Sequence, residues 1–282
     1  MNYRHAFHAG NFADVHKHVV LVRIIERLCE KPTPFRVIDT HAGAGLYSLR
    51  APEAERTGEW REGIGRLLEH RFAQDSDRLL APYRDAVARF NPAGRLAVYP
   101  GSPLLCRALL RPQDRLIACE LEPTAAAALA RNLGRHRRAK AIAIDGWTAL
   151  RAYIPPPERR GLVLVDPPYE QPDEFTRIAD RLARAHRKWP TGIFLGWYPI
   201  KDRAGPELVA SRLAEAGVPK ILRSELSIAS SAPERLQGSG LVIVNPPWRL
   251  ADDLATVLPA IAAALGRGDG RSARLDWIRG EG

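Results

Sequence analysis

Cysteine is scarce in this chain. Cys29, Cys106 and Cys119 are isolated, with no close pair among them. That argues against a disulfide framework or a cysteine-built zinc site and fits a reducing compartment. Long apolar runs are absent as well, since none reaches the ~18 residues that a membrane span needs. The opening MNYRHAFHAG has no apolar stretch of signal-peptide type. A cytoplasmic protein without a membrane partner is the expectation. Acid is in short supply: 32 Asp and Glu stand against 42 Lys and Arg, a net charge of +10. Arginine carries most of it. Such a surface suits a polyanion, because cations that contact phosphates release condensed counterions. An Arg-rich proteome would leave the same imprint, so charge supports a nucleic-acid partner without establishing one.

What is present is a set of strand-like runs that end in acids. FRVIDTHAGAG (35–45) is a β-branched run, an acid and a Gly-rich turn. DRLIACELEP (114–123) ends at Glu120 before an Ala-rich helical stretch, and AKAIAIDGW (139–147) ends at Asp145. RGLVLVDPPYE (160–170) ends at Asp166, and TGIFLGWYPI (191–200) reads as a further strand. Apolar runs alternating with helical patterns imply βαβ units and a parallel sheet, since parallel strands need crossover helices. KILRSELSIAS (220–230) and SGLVIVNPPW (239–248) add two strands joined by a short polar loop, which favours an antiparallel pair. The count is seven strands in an α/β fold.

The chain of 282 residues, 45% hydrophobic, can bury a substantial core as one domain over 1–282. Residues 47–97 break the alternation. They are polar and helix-prone, and too long for a structureless connection, so they read as a small helical insertion after the first strand and its turn. The end, GRGDGRSARLDWIRGEG, is Gly- and Arg-rich and reads as loosely ordered, although Leu275, Trp277 and Ile278 could dock as a short edge strand.

The acidic strand ends carry the chemistry. Gly43 and Gly45 let the backbone approach a ligand at the carboxyl edge of the first strand. Their spacing is not the G-x-G-x-x-G of dinucleotide folds. Glu120 is placed to accept the two hydroxyls of an adenosine ribose. Asp145, next to Gly146, can accept from an adenine amino group. Helix capping would explain single acids of this kind, but three in succession behind a Gly-rich turn point to a nucleoside.

DPPY (Asp166–Tyr169) is the sharpest signal. The adenine amine is a poor nucleophile because its lone pair is delocalised into the ring. A carboxylate accepting one N–H, with a backbone carbonyl accepting the other, favours pyramidal geometry and aims the lone pair at a methyl sulfonium. The prolines stiffen the loop and leave the Pro167 carbonyl free to accept. Tyr169 supplies a face for a flipped base, worth about 1–3 kcal/mol of stacking. NPPW (Asn245–Trp248) matches the same loose pattern. It ends a strand read as antiparallel, so it falls at the opposite edge, and Asp166 is the choice.

The N-terminus is dense in histidine: His5, His8, His16 and His18, with Asp14. The H-x-x-H and H-x-H spacings permit a metal site, but the H-E-x-x-H zinc pair is absent and no metal is expected. Asp14 reads as a cap or first-turn acid of a helix that carries His18 on the same face.

Together, YRHAFHAGNFADVHKH, DTHAGAG, AERTGEW, YPGSP, RRGLVLVDPPYE, GWYP and NPPW, in this order, resemble the bacterial RlmJ family. Its members are 23S ribosomal RNA adenine-N6 methyltransferases dependent on S-adenosylmethionine. The resemblance runs from Met1 to about Pro259, and the first, second and fifth motifs are quite specific. It implies a seven-stranded Rossmann-like class I methyltransferase fold with a helical subdomain inserted after the first glycine loop. It makes Asp166 the catalytic acceptor, with Pro167 and Tyr169 holding the base. It places Lys17, His18, His41, Gly43, Ser102, Glu120, Asp145, Gly146 and Asp166 around the methyl donor, and Tyr3 and Arg4 near the substrate adenine. The implied partner is 23S ribosomal RNA, protein-free during large-subunit assembly, with S-adenosylhomocysteine as product. A monomer with no obligatory protein partner is expected. Three competing readings are a DNA adenine methyltransferase, a metal-dependent hydrolase using the N-terminal histidines, and a non-catalytic RNA-binding protein.

Overall fold

The computed structural model describes residues 4–228, 236–266 and 271–280. Helix α1 (Phe12–Cys29) follows a short 3-10 turn (His5–Phe7) and precedes β1 (Arg36–Asp39). Asn11 caps α1 by accepting from the Asp14 N–H, so Asp14 is the first-turn acid rather than the cap. Then come β2 (Leu46–Ser48), α2 (Pro52–Thr57), a π-helical turn (Arg61–Gly65), α3 (Arg66–Glu69), α4 (Gln74–Ala88) and β3 (Val98–Pro100). The helices therefore lie within a two-stranded antiparallel ladder of β2 and β3, and the Gly101 N–H donates to the Gly45 carbonyl at its base.

The regular alternation resumes with α5 (Ser102–Leu109), β4 (Arg115–Glu120), α6 (Pro123–Leu133), β5 (Ala139–Ala143), α7 (Gly146–Ala152) and β6 (Gly161–Val165). It continues through α8 (Glu174–Lys188), β7 (Ile193–Ile200), α9 (Ala204–Glu215), β8 (Ile221–Ser227), β9 (Gly238–Val244), α10 (Leu250–Leu265) and β10 (Ser272–Arg279). The main sheet has eight strands in the order β10-β8-β9-β7-β6-β1-β4-β5. Strand β6 lies parallel beside β1, and β9 runs antiparallel to both β7 and β8.

The expected count of seven is corrected to eight. The added strand is β10, formed by the tail that reads from sequence as loose or, through Leu275, Trp277 and Ile278, as a short edge strand; the edge strand is what forms. It pairs antiparallel with β8. What holds it is ionic as well as apolar: the Arg223 guanidinium forks onto both oxygens of Asp276 at 3.0 and 2.7 Å.

Two layers cover the sheet. The larger core packs α1, α4, α5 and α10 over one face, and α7, α8 and α9 cover the other. Every residue of α1 from Phe12 to Ile25 is buried, as befits a helix enclosed on all sides. It lies between the sheet and the helices that connect β2 to β3. Among the described residues no helix is long and apolar enough to cross a membrane.

Candidate active site

Parallel strands that start at one edge deliver their ends to the other. The ends of β1, β4, β5 and β6 thus bring Asp39, Glu120, Asp145 and Asp166 to a common carboxyl edge. Asp166 receives a hydrogen bond at Oδ2 from Lys17 Nζ, at 2.5 Å. Lys17 also lies 2.9 Å from Asp14 Oδ1. Burial pulls the Lys17 ammonium toward neutrality, but the two carboxylates outweigh it and hold the lysine charged. Asp14 in turn accepts from the Gly10 N–H and stands 2.9 Å from His5 Nε2. Burial would raise its carboxyl, yet His5 and Lys17 bring it well below the ordinary range.

The loop after Asp166 is rigid. Pro167 is buried, and Tyr169 has a positive φ of 54°. The Tyr169 hydroxyl donates to the Trp197 carbonyl at 2.8 Å, and its ring packs edge-on against Trp197 and tilted against Phe175. Trp197 is itself anchored, with Nε1 donating to Ser239 Oγ at 2.9 Å.

Around the Gly-rich turn, the Gly43 N–H donates to Glu120 Oε2, while Oε1 accepts from Leu121 and Glu122. Oε1 is thereby filled, and Oε2 keeps a lone pair for a ligand hydroxyl. Asp145 caps α7 by accepting from the Thr148 N–H. A Cβ at Gly146 would stand 2.3 Å from the Thr40 carbonyl and 2.6 Å from His41 Nε2, so only glycine fits. Thr40 Oγ1 donates to the Leu164 carbonyl and therefore accepts from His41 Nδ1, at 2.8 Å. This tautomer leaves Nε2 bare, and burial lowers the ring to about 4, so it is neutral. Ser102, at the start of α5, donates to Asp39 Oδ2 at 2.7 Å.

The remaining expected residues lie apart. His18 is 1% exposed, stacked on Tyr99 and bonded through Nδ1 to its hydroxyl at 2.7 Å. Arg4 is exposed, and its charge contributes to lowering the Glu122 carboxyl, which the Thr124 and Ala125 N–H groups lower first. Tyr3 falls outside the described residues. The other histidines diverge. His8 pairs with Glu59, whereas His16 is bonded through both ring nitrogens to Ser239 and Ser224. Among the described residues no three His, Cys, Asp or Glu side chains are grouped to hold a metal.

Two residues were not singled out from sequence, and a third, Asp14, reads there only as a cap or first-turn acid. Asp14 is the counter-charge of Lys17, and its signal was the three-residue spacing on one helix. Trp197 fixes Tyr169, with no local signal. Asp39 is fully buried, and its Oδ1 has no hydrogen-bond partner. Burial and the nearby Asp166 push this carboxyl up to about 7, against the lowering by Ser102.

Asn245 sits at the opposite edge, as its antiparallel strand requires. It brackets the α8–β7 connection through Nδ2, which donates to the Pro190 and Gly192 carbonyls.

A family model described as "Ribosomal RNA large subunit methyltransferase D, RlmJ" matches residues 32–279. The chain is 41% identical over 279 residues to ribosomal RNA large subunit methyltransferase J of Escherichia coli, covering 99% of each. This chain belongs to the RlmJ family. The Haemophilus influenzae methyltransferase of the same name is 37% identical over the full length of both chains. The crystal structure of protein LPL1258 from Legionella pneumophila, 33% identical, superposes with a TM-score of 0.86 over 96% of this chain and 98% of its own. Family membership makes the chain a methyltransferase, dependent on S-adenosylmethionine, with the fold described above.

Proposed function

We propose that this enzyme methylates N6 of an adenine in 23S ribosomal RNA, with Asp166 as the acceptor that orients the amine. The observation that carries the reading is the Lys17–Asp166 contact at the head of a rigid Pro-Pro-Tyr loop. With Oδ2 held by Lys17, Oδ1 is directed to an N6–H, and the Pro167 carbonyl accepts the second. Tyr169, pinned at its hydroxyl by the Trp197 carbonyl, offers its ring to the base.

The residues at the carboxyl edge fit a nucleoside carrying an ammonium group. Asp39 Oδ1 is a buried acceptor without a partner, and the absence of a side chain at Gly146 keeps His41 close to the backbone. Glu120 and Asp145 would hold ribose and adenine, with Gly43, His41, Ser102 and Gly146 forming the walls and Lys17 and His18 behind them. When bound, S-adenosylmethionine supplies a methyl group already activated on sulfur and leaves as S-adenosylhomocysteine. The chain's own contribution is alignment and the exclusion of alternatives. Asp166 holds one amine proton during transfer, and the surplus proton leaves N6 to Asp166 Oδ1 or to water. Protein-free RNA is the substrate form, because the target base must leave its stack to reach Tyr169.

The test is transfer of labelled methyl from S-adenosylmethionine to protein-free large-subunit RNA, followed by nucleoside analysis. N6-methyladenosine that disappears with Asp166→Ala, while donor binding persists, supports the assignment. Transfer to duplex DNA alone would overturn the substrate and keep the chemistry.

A further inference from the structure

The positive charge of this chain is not spread evenly. The connections that follow β4, β5 and β6 at the carboxyl edge contain Glu122, Asp145, Asp166, Glu170 and Asp173 and no Lys or Arg. These three connections offer phosphate no cation, and at the same edge the connection after β7 adds Lys201 and Arg203, so an RNA partner gains from a further phosphate grip elsewhere. At the opposite edge, where the parallel strands begin, the β5 end has the reverse character. The connection before β5 (134–138) contains Arg135, Arg137 and Arg138 and no acid.

Several guanidiniums on that edge are fixed by main-chain carbonyls rather than neutralised by carboxylates. Arg107 donates to the Asn132 and Leu133 carbonyls, and Arg138 to the Leu110 carbonyl. Arg160 donates to the Leu28 and Thr33 carbonyls. Each keeps spare N–H donors from the five it carries. They crowd one another as well. After burial, the charges of Arg138 and Arg107 lower the His136 ring. Like charges assembled at such a cost are poised for an anion. Farther along the same edge, Trp248 follows the end of β9 and is 84% exposed, next to the exposed Arg249. From β5 to β9 the edge crosses five strand spacings, about 24 Å.

We propose that the strand-start edge, from Arg135 and Arg137 to Trp248, is a second RNA-docking surface that grips the phosphate backbone of the substrate away from the target adenine. It rests on the ribosomal RNA reading above. Fixed guanidiniums match phosphate oxygens by paired N–H···O bonds, and an exposed indole at one end offers a platform for an unpaired base. A large folded RNA can reach both edges of the domain, whereas a short hairpin that presents the target adenine occupies only the carboxyl edge.

The experiment uses the full chain and the double variant Arg135→Glu/Arg137→Glu, whose side chains are exposed. Binding to protein-free large-subunit RNA is measured by filter retention across a salt series, beside methylation of a short hairpin carrying the target adenine. The expected result is at least ~10-fold weaker binding to the long RNA and a salt slope reduced by about 1–2, with hairpin methylation unchanged. Trp248→Ala is expected to weaken long-RNA binding ~5-fold or more without altering the slope. Unchanged affinity and slope in the double variant would overturn the proposal. So would tighter binding of the native chain to anionic phospholipid vesicles than to RNA, lost in the same variant, which would make the edge a membrane surface. Because retention requires no methyl transfer, an enzyme inactive on every RNA would sink the proposed function while leaving this test readable.

Discussion

Lys17 and Asp166, 149 positions apart in the chain, meet at 2.5 Å, and Asp14 closes the triad at 2.9 Å from the same ammonium. One lysine thus ties the second turn of α1 to the end of β6. All three side chains are mostly or wholly buried, at 5%, 16% and 2% exposure. Removing the cation leaves a buried carboxylate uncompensated, which costs about 3–5 kcal/mol. Lys17→Met is expected to lose stability in this range in urea unfolding, and Asp14→Asn/Lys17→Met to recover part of it. A double variant whose loss equals the sum of the single losses would show that the triad is not coupled.

Asp39 gives the ligand-free protein a pH dependence of definite sign. Its carboxyl is raised from 3.8 to about 7 in the folded chain. Between those values the folded state binds a proton that the unfolded state has released, so stability falls as pH rises. The slope limit is about 1.4 kcal/mol per pH unit. Asp39→Asn should flatten this portion of the stability curve between pH 4 and about 7, read from urea midpoints. An unchanged slope would mean that the carboxyl is ionised throughout.

His16 has the opposite sign. Burial holds the ring at about 3 against 6.5, so the unfolded chain gains a proton first and stability falls as pH drops below 6.5. His16→Leu removes this acid-side contribution. It also leaves the Ser224 and Ser239 hydroxyls without their partner, at about 1–3 kcal/mol for each that stays buried. Because Ser239 also anchors Trp197, the variant is expected to raise KM for RNA more than it lowers kcat. Steady-state kinetics on the hairpin separate the two.

Gly146→Ala forces a methyl group into the Thr40 carbonyl and the His41 ring. Overpacking of this kind costs about 1–3 kcal/mol. Calorimetric titration with S-adenosylhomocysteine should register it as ~5- to 150-fold weaker binding. Affinity equal to the native chain would remove His41 and Gly146 from the donor site.

The two proline-proline motifs should part company under substitution. Asn245→Ala deprives the Pro190 and Gly192 carbonyls of a donor, and a stability loss of about 1–2 kcal/mol is expected. Methyl transfer should be unaffected. Asp166→Ala should abolish transfer, to below about one-thousandth. Comparable losses in the two variants would refute the distinction drawn from strand direction.

The acids at strand ends were readable because a parallel sheet obliges successive strands to finish at one edge. The same rule distinguished Asp166 from Asn245 with no three-dimensional information. β10 was readable only as an alternative, from Leu275, Trp277 and Ile278, because the Arg223–Asp276 pairing that helps hold it spans a gap of 53 positions. The Lys17–Asp166 bond and the partnerless oxygen of Asp39 are likewise products of distant segments meeting. The density of histidines near the N-terminus is proximity in sequence and not of side chains. Successive residues on a helix diverge by about 100°, and His16, Lys17 and His18 face three different neighbours.

That divergence constrains how the chain can change. His16 reaches the serines of β8 and β9, Lys17 the end of β6, and His18 the tyrosine of β3. Three adjacent positions therefore index three distant parts of the molecule to a single rotational setting of α1. Any one contact can be exchanged by substitution, but inserting or deleting one residue between His18 and Leu28 would turn these three side chains by more than a quarter revolution against the rest of the buried helix and disengage all three together. Length variation in descendants of this chain belongs in the loops, and α1 is the part whose phase they must inherit intact.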